Sequence, residues 1–269
     1  MDHNPPGKEL LVETQDGICV VKFNRPDQLN AVVRPMHEAL AGLWSQLAAD
    51  PEIDVIVLTG EGRAFSAGGD LAHLEQMGLD VALRAAELAT GSRLFKEMLA
   101  CPLPIIAAVN GPAVGLGCNI ALMCDLVYMS DQAFFADPHV SIGLTAGDGG
   151  AAYWPLTMSI VVAKELLFFG GRVSPSRALA LGLVNEVVSN DELLARALTV
   201  ARRLADLPPQ AVRSTKQAIN LYLTQASAGV IDVALAAEYE SFDTPEHHAV
   251  LAKLQAAATR TRDATEPIR

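Results

Sequence analysis

The chain reads as an α/β fold, because short apolar runs alternate with amphipathic stretches through the first half and helical periodicity takes over after about residue 155. A third pattern places the candidate sites: each apolar run ends in polar or glycine-rich residues, where open α/β sheets gather their ligands. Gly17–Phe23, Val55–Thr59, Pro104–Asn110 and Asp125–Met129 predict four strands. Between the first two, Met36, Leu40, Leu43 and Leu47 recur at intervals of four, three and four, which puts them on one face of a helix. Ser174 and Pro175 predict a helix start, Gly182 its end, and Leu183–Val188 a short strand. Helices are then expected over Asp191–Ala205, Pro209–Thr224, Val230–Phe242 and Pro245–Thr259. The change of pattern divides the chain into a core domain at 1–190 and a C-terminal helical region at 191–269, with no low-complexity linker and no repeat of solenoid length.

Composition narrows the function. At 269 residues the chain suits one principal core. A formal net charge of −11 with scattered Lys and Arg argues against nucleic-acid and anionic-membrane partners, which demand clustered positive charge. The hydrophobic share of 51% points to extensive burial, some of it between subunits. Cys19, Cys101, Cys118 and Cys124 lie in or beside apolar segments without a C-x-x-C pair, so they read as reduced, buried thiols rather than zinc ligands or a redox centre. The amino terminus shows no apolar signal core, and no uncharged apolar run reaches about 18 residues, so a cytoplasmic protein is expected.

Two glycine turns carry the candidate chemistry. Ala64–Leu71 (AFSAGGDL) follows the strand ending at Thr59, and Asn110–Ile120 (NGPAVGLGCNI) joins a buried strand to the next helix. Gly68 and Gly69 let the main chain turn sharply and bring an N–H to a ligand with no Cβ in the way. In the second turn, bare N–H groups stand at a helix start, where the dipole favours an anion. Rival motifs fail on spacing. A G-x-G-x-x-G pattern begun at Gly115 and Gly117 meets Ile120 where its third glycine belongs, and Asp125 comes about ten residues too early for a ribose contact. Ser66 lacks the G-x-S-x-G elbow, and no G-x-x-x-x-G-K-S/T run occurs, so neither a serine hydrolase nor a phosphate loop is supported.

In order, spacing and flanking residues, VIVLTG with AFSAGGDL and then IAAVNGPAVGLG with CDLV, the chain resembles the crotonase (enoyl-CoA hydratase/isomerase) superfamily. The likeness runs from about Leu10 to Gln255 and includes the turn Asn24–Asn30 and the helix around Ala211–Lys216. It implies a crotonase-type spiral of ββα units with a C-terminal helical trimerisation region, assembled as a homotrimer or a dimer of trimers. It also implies that the N–H groups of Gly69 and Leu116 bind a thioester carbonyl oxygen as the enolate forms, each donor contributing a factor of roughly 10² to 10³ in rate. The implied substrate is an acyl-CoA or another small carbonyl compound. Coenzyme A enters as part of the substrate, with no tightly bound cofactor and no metal.

The proton-handling residues depart from an ordinary hydratase. The two glutamates that hold water in family hydratases fall at Asn119 and His139. An amide at Asn119 positions water or substrate but exchanges no proton near neutral pH. His139 is followed nine residues later by Asp148, and a carboxylate near an imidazole makes one general base and acid of the pair. This arrangement resembles a subgroup, the β-diketone hydrolases of camphor breakdown. There, a histidine and an aspartate at these positions cleave a carbon–carbon bond by a reverse Claisen reaction, helped by a glutamate on a late helix whose nearest match is Glu238. Of that subgroup's further histidines, one position holds Leu116, and His37 is only approximately placed. Structural roles stand beside these: His139 as a loop histidine satisfied by backbone, Asp148 as the cap of a helix starting at Gly149, and Glu238 as an exposed helix residue.

For coenzyme A the resemblance implies contacts at Arg63, Ala67, Gly68, Asp70, Leu71 and Lys253. Of the positions where relatives place lysine, Asp27, Arg63, Ala72 and Ala257, only Arg63 is positive, which leaves Lys253 and Arg260 as substitutes. Three functions stay open: an enoyl-CoA hydratase/isomerase-like enzyme, a cofactor-free β-diketone hydrolase, and a non-catalytic paralogue.

Overall fold

A computed structural model describes residues 3 and 7–254 of the chain. Strands β1 (Leu10–Gln15) and β2 (Ile18–Phe23) pair antiparallel through a tight turn at Asp16 and Gly17, both with positive φ. Helix α1 (Arg34–Ala48) buries the face of Met36, Leu40, Leu43 and Leu47 and adds Trp44 and His37 to it. Strand β3 (Val55–Gly60) then lies parallel to β2. Helices α2 (Leu71–Leu79) and α3 (Val81–Ala100) start at Asp70 and Asp80, whose carboxylates each accept two N–H bonds of the first turn. Strand β4 (Ile105–Val109) returns parallel to β3, and β5 (Ala113–Val114) leads into α4 (Leu116–Leu122). Strand β6 (Leu126–Ser130) joins β4, while β7 (Phe135–Ala136) pairs with β5 as a separate two-stranded ladder. Helices α5 (Gly150–Thr157), α6 (Ile160–Phe169) and α7 (Pro175–Ala180) precede β8 (Glu186–Val188), which closes a six-stranded sheet in the order β1-β2-β3-β4-β6-β8. Helices α8 (Leu193–Ala205), α9 (Pro209–Ser227) and α10 (Val230–Ser241) follow, and residues 245–254 are helical.

The four predicted central strands are present because both faces of the sheet are covered, so each strand is apolar at nearly every position. Cys19, Ile56, Leu58, Ile105, Ala107 and Val127 face the larger core with α1, α3 and α4. Ile18, Val55, Val57, Ile106 and Ala108 face the opposite side, where α8 lays down Leu193, Ala197, Val200 and Ala201. Full burial of one such valine or leucine side chain contributes about 1.5–3 kcal/mol, and the alternation of the two sets along each strand fixes its register.

Some expected elements differ. The strand predicted over Leu183–Val188 begins only at Glu186, because Leu183 and Val184 are spent in the larger core before the chain reaches β6. Strand β1 and the pair α2 and α3 were not anticipated. β1 is buried only at Leu10 and Val12, so its sequence carries half of a strand pattern. The last predicted helix is described as far as residue 254, and Ala257 and Arg260 lie outside the described residues. Ile231 and Leu235 of α10 pack into the larger core, which carries this helix to the candidate site. Among the described residues no single helix is long and apolar enough to cross a membrane.

Candidate active site

The two glycine turns are stitched side by side. Val32 bridges Gly69 and Ser66 bridges Ala113, both in parallel, and β7 flanks β5. Val32 N–H donates to Gly68 O (2.7 Å), Asp70 N–H to Val32 O (3.0 Å), Val114 N–H to Ser66 O (2.9 Å) and Gly115 N–H to Ala136 O (2.9 Å). The N–H groups of Gly69 and Leu116 have no hydrogen-bond partner among the described residues. Gly68, at φ 81°, permits the arrangement: a Cβ there would stand 2.6 Å from Val114 O. Ser66 is tied down, its Oγ donating to Asn30 O (2.8 Å) and accepting from Gly68 N–H (3.2 Å).

Gly69 and Leu116 line one pocket of about 180 Å³, whose walls include Leu74, Met77, Leu88, Ile142 and Leu144. The same pocket receives His139, Asp148 and Glu238. His139, only 8% exposed, is held between two carboxylates: Nδ1 meets Asp137 Oδ1, and Nε2 lies 3.3 Å from Asp148 Oδ2. Its ring is therefore satisfied by carboxylates and not by backbone. Burial works against a charge on the imidazole, but the adjacent Asp148 and Asp137 outweigh it and hold the ring well above the ordinary histidine range, which favours the imidazolium. Burial raises Asp148 above the usual carboxylate range despite the attraction of His139, whereas Asp137, although buried, is held below it by the same imidazolium.

Asn119 stands behind this group and not on the pocket wall, so it does not position water or substrate there. Trp154 Nε1, which can only donate, gives its hydrogen bond to Asn119 Oδ1 (2.7 Å) and thereby fixes which way the amide faces. The Nδ2 of Asn119 then donates to Asp148 Oδ1 (2.9 Å) and Asp137 Oδ2 (3.2 Å). Asp148 does not cap α5 either: Gly149, at φ 113°, begins that helix without any side-chain cap bond.

For Glu238 it is the alternative role, an exposed helix residue, that the structure overturns. It is 4% exposed and faces the pocket, because α10 docks through Ile231 and Leu235 on the same side. Burial and the nearby charge of Asp148 push its carboxyl well above the ordinary value, which favours the protonated form. In the unfolded chain Glu238 ionises at its ordinary value, so as pH rises above that value the unfolded state loses the proton first and the fold loses stability. His139, raised above its unfolded value, adds stability that is full below that value and is also lost on the alkaline side. Glu238→Gln is therefore expected to raise Tm relative to wild type more at pH 8 than at pH 5, which calorimetric scans at the two pH values check.

The remaining sequence-predicted positions divide. Ala67, Gly68 and Leu71 line the pocket. Asp70 does not: its carboxylate caps α2 and accepts from Arg25 Nη1 at 3.3 Å. Arg63 is exposed and forms no ion pair among the described residues, and Lys253 is exposed near their end. Sequence reasoning missed Asp137, for which the only local signal was its place two residues before His139. Of a second polar group on the pocket it named only His37, approximately placed, and missed His73 and Glu87. There His37 Nδ1 lies 2.8 Å and His73 Nε2 3.5 Å from Glu87 Oε2. Burial opposes the charge on Glu87, but the two histidines outweigh it and hold its pKa down at about 2.

Comparison with known proteins sets this geometry in context. The profile of the family "Enoyl-CoA hydratase/isomerase" matches residues 13–255. The short-chain-enoyl-CoA hydratase of Clostridium acetobutylicum is 34% identical over 234 residues, 87% of each chain. The 2,3-dehydroadipyl-CoA hydratase of Escherichia coli is 32% identical, over 87% of this chain and 89% of that protein. Among solved structures, an enoyl-CoA hydratase/isomerase from Mycobacterium paratuberculosis superimposes with a TM-score of 0.89 at 43% identity, covering 92% of this chain and 98% of that one.

Proposed function

The chain belongs to the crotonase (enoyl-CoA hydratase/isomerase) superfamily, and on that premise we propose that it acts on an acyl-CoA thioester through an enolate held by Gly69 and Leu116, with His139 and Asp148 handling the proton. One observation carries this reading: two free main-chain N–H groups and an acid–base group share a single, largely apolar pocket. In the step we derive, Asp148, braced by the His139 imidazolium, takes a proton from the substrate carbon or its attacking water. The electron pair moves onto the carbonyl oxygen, where the two N–H groups receive the growing charge. As the enolate collapses, the neutral Glu238 supplies a proton to the carbon framework. The raised pKa values of Asp148 and Glu238 suit these roles near neutral pH, where a carboxyl with an ordinary value is a weak base and no acid.

A second reading is favoured by the same Glu238: it lines the pocket with His139 and Asp148, the histidine, aspartate and late-helix glutamate expected of a β-diketone hydrolase, although Leu116 stands where that subgroup has a further histidine. The exposed Ile219, Leu221, Tyr222, Val230 and Val233 on α9 and α10 support assembly as a homotrimer or a dimer of trimers.

Charge distinguishes the two substrates. Coenzyme A carries phosphates, the chain carries −11, and Arg63 is an exposed cation not committed to an ion pair among the described residues. Calorimetric titration is expected to give a micromolar acyl-CoA dissociation constant that rises with salt and rises several-fold again in Arg63→Ala. If acyl-CoAs fail to bind up to millimolar concentration while a cyclic β-diketone is cleaved to an acid through His139 with no coenzyme present, the second reading replaces the first.

A further inference from the structure

We infer that the pocket contains a second recognition site, in which His37 hydrogen-bonds a hydroxyl or carbonyl oxygen on the acyl part of the substrate, distinct from the carbonyl bound by Gly69 and Leu116. The inference rests on the pocket assigned above but not on the coenzyme. His37 on α1, His73 on α2 and Glu87 on α3 converge from three helices and share no hydrogen bond or ion pair with His139, Asp148 or Glu238 among the described residues. Glu87 orients His37 through Nδ1, which directs the other nitrogen, Nε2, elsewhere. That nitrogen is buried, has no partner among the described residues, and belongs to a residue only 8% exposed that lines the pocket. A glycine stands beside it. Gly91, which also lines the pocket, packs against this end of the ring: a Cβ there would stand 3.8 Å from both Cε1 and Nε2 of His37, an ordinary contact.

A purely architectural role, three helices pinned by a buried ion pair, needs one nitrogen of each histidine and Glu87. It does not account for the second nitrogen of His37, left unpaired on a pocket wall shared with Leu74, Met77 and Leu88. An unpaired buried polar atom is unfavourable, and a ligand oxygen that pairs with it removes that cost on binding. With Nδ1–H given to Glu87, Nε2 of the neutral ring accepts from a hydroxyl. In the cationic ring it donates to a carbonyl. Substrates offering such an oxygen are thereby preferred over hydrocarbon analogues of the same length, because a site built to hydrogen-bond penalises the ligand that leaves its polar group unpaired.

The test uses two matched pairs of probes and titration calorimetry on the full-length protein. One pair is a six-carbon saturated acyl-CoA with and without a keto group next to its terminal methyl. The other is a cyclic monoketone and the non-enolisable cyclic β-diketone of the same ring size. In at least one pair, the oxygenated member is expected to bind about 10-fold or more tightly than its partner. His37→Leu should bring that ratio close to one, and His37→Gln, which restores a polar atom near the position of Nε2, should recover part of it. Equal affinities within both pairs in the wild type overturn the inference without any variant, as does a ratio unchanged in His37→Leu. If the acyl-CoA pair binds with no discrimination and the ketone pair likewise, the inference falls and the thioester reading stands. If only the ketone pair binds, with the His37-dependent ratio, the thioester reading falls and the inference stands. Failure of all four probes to bind overturns both.

Discussion

His139→Ala is expected to lower kcat/KM by about two to four orders of magnitude, the range typical of a lost acid–base partner. The size follows from what surrounds the ring. Removing the imidazolium leaves Asp137 and Asp148 facing each other across a buried gap, where neither has another cation among the described residues. Asp148 then loses the attraction that offsets part of its burial, and its pKa moves further up. The ascending limb of the pH–rate profile, which reports ionisation of the base, should accordingly shift to higher pH. Asp137→Asn should cost less, because it removes only the outer brace. Steady-state rates between pH 5 and pH 9 on protein shown to be folded by circular dichroism decide the matter. An unchanged rate and profile in His139→Ala would reduce this residue to a structural one.

Gly69→Pro should be comparably severe, for an unrelated reason. Proline removes an N–H of the first turn that lines the pocket and has no partner among the described residues. One such donor contributes a factor of roughly 10² to 10³ in rate. Gly69→Ala is the informative companion. Its φ is not in the left-handed region, and a Cβ there meets Leu74 at 3.4 Å, an ordinary contact, so alanine keeps the donor at little steric cost. Loss confined to proline, with similar thermal unfolding in both variants, assigns the effect to the N–H. Equal activity in both variants would sink the assignment of this donor.

What could be read beforehand depended on how local its cause was. The central strands were legible because burial on both faces makes each a continuous apolar run, and α1 because its buried face recurs within single turns. Gly68 was legible because its backbone conformation and the nearby Val114 carbonyl demand a glycine. The carboxylates were not. Whether Glu238 is exposed or buried is decided by where α10 docks, and the role of Asn119 by Trp154, 35 positions further on. Nothing in the local sequence of His37, His73 or Glu87 announces that three helices bring them together. The four cysteines are free and buried, as their apolar neighbours suggested.

The ladder that joins the two turns has a consequence for descent. The donors at Gly69 and Leu116 are main-chain atoms whose separation is set by neighbouring strands, through the bridges Val32 to Gly69 and Ser66 to Ala113. The groups proposed to move protons, His139, Asp148 and Glu238, are side chains on other segments, the 137–148 loop and α10. A point mutation can therefore replace a proton-handling residue without disturbing the anion-binding half, while no single side-chain exchange can relocate a backbone amide. A lineage built this way can acquire new chemistries one codon at a time around an unchanged electrostatic core.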